Sequence, residues 1–106
     1  MATGRLGTAN LTAATVTTLY TCPATTFAVA TVSVCNRSNS AVTFRMSLSA
    51  TTTPAADEWL EYDTEIMPKG VLERTGIVVQ AGYNIIVYSS TANVNAVAMG
   101  IETPTA

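Results

Sequence analysis

Residues 61–90, EYDTEIMPKGVLERTGIVVQAGYNIIVYSS, hold three runs of β-forming residues divided by turns that glycine marks. Ile, Val, Leu and Tyr supply core-filling side chains, and the rest are small hydroxyls, amides and a few carboxylates. β-branched side chains lose rotamer freedom in a helix but pack well on a pleated surface, so the stretch reads as strands. Met67-Pro68-Lys69-Gly70 makes one turn and Ala81-Gly82 another. They separate strands predicted at 58–65, 71–74, 77–79 and 84–89, and Gly76 allows a bulge or bend between the middle two.

Upstream, residues 42–49 alternate most cleanly: Val42, Phe44, Met46 and Leu48 point one way, and Thr43, Arg45, Ser47 and Ser49 the other. NRSNS at 36–40 is a cluster of side chains that bond their own backbone, joining this strand in a hairpin to one at 27–36. There Phe27 and Val29 fall on the opposite parity from Val32 and Val34, which a bulge near Ala30 would reconcile. A strand at 15–22 ends at Pro23, ATTTPAA at 50–56 is an aperiodic loop, and a last strand runs over 93–102 before residues 103–106 fray. Seven to eight short strands spaced by turn signals predict an all-β antiparallel β-sandwich of jelly-roll or related Greek-key topology. One sandwich domain is expected over 15–103. Residues 1–14 form an extended N-terminal arm, expected to order on a neighbouring subunit.

Composition bounds the function. A chain of 106 residues, 48% hydrophobic, is long enough for one core and not for two. Only 11% of residues are charged and the formal net charge is −2, so much of the surface must be Thr, Ser, Asn and Ala, which suits packing against other protein. Five basic residues against seven acidic ones lack the excess that neutralises phosphates, and nucleic acid is not an expected partner. No run approaches about 18 consecutive apolar residues, and no membrane partner is expected. The first residues lack the apolar core of a secretory signal, which leads to the expectation of a cytoplasmic folding compartment and reduced Cys22 and Cys35.

The chain contains no histidine, so the commonest general base and metal ligand is absent. A Ser or Cys nucleophile would lack its usual activating partner, and the only lysine, Lys69, sits in a turn. Glu61, Asp63 and Glu65 alternate on one strand face, roughly 7 Å apart in succession. That spacing permits glycoside hydrolysis, but it fits a solvated face or one paired with arginines of a neighbouring subunit better. Asp57 and these carboxylates lack the dense spacing of a calcium loop, and neither metal nor cofactor is expected. Trp59, the sole tryptophan, reads either as an interface anchor or sugar platform, or as a core-edge aromatic under the 50–56 loop. Tyr62, Tyr83 and Tyr88 read as packing residues, and Glu73 with Arg74 as a structural pair or an inter-subunit contact.

Five segments, LYTCPA (19–24), VCNRSNSAVTFRMSLS (34–49), EWLEYDTEI (58–66), GVLERTGIVVQAGYNIIVYSS (70–90) and VNAVAMGIE (94–102), resemble small β-sandwich virion structural proteins of tailed bacteriophages, of the kind cyanophages and other marine phages carry. The resemblance implies a non-enzymatic capsid decoration, or cement, protein on the capsid exterior, assembled in the host cytoplasm. Its implied partners are the major capsid protein and further copies of itself, with a trimer favoured. Tail, baseplate or fibre structural modules, and a carbohydrate-binding module, are the alternatives. The candidate interface residues are Arg5, Leu6, Trp59, Glu61, Asp63, Glu65, Glu73 and Arg74.

Overall fold

In the computed structural model, which describes residues 3–105, the chain forms eight strands. They are β1 (Thr3–Leu11), β2 (Thr17–Thr21), β3 (Thr26–Asn36), β4 (Val42–Ser49), β5 (Trp59–Ile66), β6 (Val71–Val79), β7 (Asn84–Ser89) and β8 (Val94–Pro104). Sheet A has the order β1-β8-β3-β6 and sheet B the order β2-β7-β4-β5, every neighbour antiparallel. The partners β1 with β8, β2 with β7, β3 with β6 and β4 with β5 make one long hairpin whose tip is the loop after β4. Rolled so that β8 also pairs with β3 and β7 with β4, that ribbon is a jelly roll.

The core lies between the sheets. Ala28, Ala30, Val32 and Val34 of β3 and Val94, Ala96 and Ala98 of β8 face Val42, Phe44 and Met46 of β4 and Ile85 and Val87 of β7, all of them buried. Small residues on sheet A therefore oppose large ones on sheet B, which lets the layers interdigitate at interior packing density. Connections gather at the two ends. At one end the Asn36 side-chain amide, fully buried, donates to the carbonyls of Ser40 (2.8 Å), Met67 (3.1 Å) and Ile66 (3.2 Å). Its own carbonyl accepts from Ser38 N (3.0 Å) and Oγ (2.7 Å), so one residue ties the β3–β4 and β5–β6 turns together. At the other end Asn84 donates to the carbonyls of Ser49 and Thr51 and accepts from Thr21 Oγ1, anchoring the ribbon's tip.

Several expectations are corrected. Residues 3–11 of the expected arm are instead the edge strand of sheet A, paired with β8 from Thr3↔Ile101 to Leu11↔Val94. Leu11 is buried and Leu6 and Ala9 pack against the core, which supplies the reason to fold that the segment's glycine-broken pattern conceals. Met1 and Ala2, also assigned to that arm, lie outside the described residues. The bulge expected in β3 near Ala30 belongs to its partner: β3 keeps one parity from Ala28 to Val34, and the extra residue sits in β6 at Gly76, whose φ is +71°. Residues 71–79 are accordingly one strand rather than two. β8 continues through Pro104, opposite Thr26, where fraying was expected from residue 103, and Ala106 lies outside the described residues.

Candidate functional site

Strand β5 carries most of the candidate residues, and its register decides where they point. Between Phe44↔Thr64 and Met46↔Glu61, β5 has one residue more than β4, and between Met46↔Glu61 and Ser47↔Trp59 it has another. Directly opposed residues share a face, so each extra residue reverses the parity of what precedes it. Asp63 absorbs the first bulge with a left-handed φ of +52°, a conformation Asp tolerates better than most residues. Glu61 therefore lies opposite the inward Met46, whereas Glu65 lies opposite the outward Thr43. The three carboxylates do not share the single face that alternation predicts.

Each has a separate setting. Glu61 accepts from Arg74 Nη1 at 2.6 Å and from Thr64 Oγ1 at 2.8 Å, an ion pair running from sheet B to sheet A along the β5–β6 edge. Asp63 takes Arg45 Nε at 2.6 Å and Nη2 at 3.3 Å on the outer face of sheet B. Glu65 is exposed. The arginine partners that the sequence suggests on a neighbouring subunit are thus supplied within the chain for Glu61 and Asp63.

Arg45 is the centre of an aromatic cluster. Its guanidinium carbon lies 4.2 Å from the Tyr62 ring centre and 4.7 Å from that of Tyr88, in cation–π geometry with both. The Asp63 carboxylate raises the guanidinium further above its ordinary value. Tyr62 also meets Trp59 edge to face, with ring centres 5.4 Å apart, and Ala56 of the tip loop closes an open recess of about 270 Å³ beside them. Trp59, half-buried, joins features of both readings: it lies at the 50–57 loop and also lines a surface recess. Tyr62 is 55% exposed, a correction to its reading as a packing residue. Beneath this face Ile86 and Ser47 are fully buried outside the inter-sheet core, and Ser47 Oγ has no hydrogen-bond partner. The loop itself is pinned by Glu58, which accepts from Ala55 N at 2.6 Å and Ser49 Oγ at 2.9 Å. Those bonds hold its carboxyl below the ordinary value.

The remaining candidates lie on sheet A. Arg5 is exposed on edge strand β1 opposite Met99, and Leu6, in the bulge beside it, packs on the core. Glu73 is exposed on the opposite edge strand, β6, facing away from its neighbour Arg74. Ile101, Val29 and Val78 stand in register across β8, β3 and β6, all exposed on the outer face. Sequence reading missed this row because its three members come from distant strands. It also missed Arg45, for which the one signal was a lone charge in an otherwise small-polar face of β4. Cys22 and Cys35 are both unbonded, Cys22 buried and Cys35 half-buried. Among known proteins, no family model, no curated protein and no solved structure matches the chain.

Proposed function

We propose that the protein is a non-enzymatic structural component of a tailed-phage virion, a capsid decoration protein that binds the major capsid protein lattice and stabilises the head. The supporting observation is the strand order, β1-β8-β3-β6 against β2-β7-β4-β5, an architecture widely used for capsid building blocks. A Thr-, Ser- and Ala-rich surface has a low side-chain ordering cost on contact, and repetition over a lattice multiplies modest single-site affinities. The resemblance in the five sequence segments supports the same reading. Purified protein mixed with phage heads lacking decoration should co-sediment at a fixed ratio and raise the temperature at which the heads release DNA. Heads that neither bind nor gain stability overturn the proposal, and immunolabelling on tails rather than heads assigns the tail or fibre alternative instead.

A second reading, a carbohydrate-binding module, is favoured by one observation: the recess walled by Trp59 and Tyr62 on a jelly-roll face, since lectin domains share this architecture. Saturable change in Trp59 fluorescence on glycan titration, lost in Tyr62→Ala, would favour it; a flat response across glycan classes removes it.

A further inference from the structure

The outer face of sheet A is apolar across its middle and carries charges at its two edges and at one end, where Arg37 donates to Asn10 of β1 at 2.6 Å. Ile101, Val29 and Val78 are 55%, 44% and 59% exposed, and Met99 adjoins them one row along β8 at 37%. Arg5 stands at the β1 edge and Glu73 at the β6 edge. Neither takes part in the two ion pairs found among the described residues. An in-register apolar row of this kind on a folded domain marks an association surface.

We infer that a second copy of this chain covers this face in a two-fold, face-to-face contact. The charges select the geometry. A two-fold axis lying in the interface along the strands sets β8 of one copy over β3 of the other and β1 over β6, so Ile101 meets the partner's Val29. Arg5 then comes over the partner's β6 about one cross-strand row from Glu73, roughly 7 Å along the strand, a gap an arginine side chain spans. Symmetry makes the contact twice. An axis in the same plane but across the strands sets β1 over β1 and β6 over β6, so Arg5 and Glu73 stay on opposite edges and no pair of opposite charges forms across the contact. The face measures roughly 20 by 25 Å from strand spacing and rise, so the interface falls at the small end of the range, where weak, reversible contacts lie.

This contact is independent of the virion reading and is tested without phage heads. A two-fold contact gives dimers, whereas the resemblance implies trimers, and mass distinguishes them. Sedimentation velocity of the full chain from about one to several hundred micromolar should show reversible monomer–dimer exchange. Val29→Lys should abolish it with the thermal melt unchanged, since Val29 is exposed. Arg5→Glu alone should weaken the dimer about tenfold at low salt, and Arg5→Glu with Glu73→Arg should restore it to within about threefold. A monomer at every concentration, a trimer mass, a dimer indifferent to Val29→Lys, or a charge exchange that restores nothing overturns the inference.

Discussion

Asn36 ties the β3–β4 and β5–β6 turns through one buried side chain. Its amide and carbonyl hold two turns that approach each other only in the finished sandwich, and water cannot replace those partners because the group is fully buried. Asn36→Ala should destabilise by about 2–3 kcal/mol, read from urea denaturation midpoints at constant slope, because several buried groups lose partners together. Glu58 works differently, as a charge on an exposed loop. Its folded value lies below the ordinary 4.5, so folding favours the ionised form, and its contribution is complete above that pH and lost as pH falls through the lowered folded value. The protection factor of the Ala55 amide, its exchange rate corrected for the intrinsic pH dependence, should therefore fall in that acid window while those in β3 and β8 hold.

At the scale of strands, the difference between β6 and β5 marks how much the sequence discloses. Gly76 announces its bulge, since a glycine inside a β run has few other uses, and the clean alternation of β4 fixes an inward face through Phe44 and Met46. The two bulges of β5 have no such marker: Asp63 adopts a left-handed φ without being glycine, and the pattern from Trp59 to Glu65 reads equally well unbroken. The carboxylate face was legible only on the assumption of a constant register, which the bulges remove. β1 was illegible for another reason, since its partner β8 lies at the far end of the chain and Gly4 and Gly7 interrupt any apolar period. The count of eight strands agrees, although 71–79 merged two expected strands and β1 added one. Glycine's role also differs by strand. Gly76→Ala meets no neighbouring atom but strains a φ of +71°, costing about 1–2 kcal/mol. Gly100→Ala drives a Cβ into the Val29 carbonyl oxygen and the β3 backbone, and should cost more, about 3 kcal/mol, with loss of β3–β8 amide protection by exchange.

Across the whole molecule, β1 closes one edge of sheet A and packs Leu6, Ala9 and Leu11 on the core. Removing residues 1–11 should expose the β8 edge and the core contacts of Leu6 and Leu11, lowering stability by about 3 kcal/mol and the calorimetric Tm by about 15 °C. An accessory arm would leave Tm unchanged. The unpaired β8 edge should also promote association between chains, visible in light scattering. The same pairing has a mechanical side. Thr3 and Ile101 lie opposite each other in antiparallel strands, so a load applied between the first and last strands pulls at one end of the ladder. Such a load peels β1 from β8 one bonded pair after another, and the ribbon unzips toward its tip instead of shearing as a whole. A particle tethered through either of these strands alone would leave that ladder unloaded, while one gripping both would place the strain on that seam.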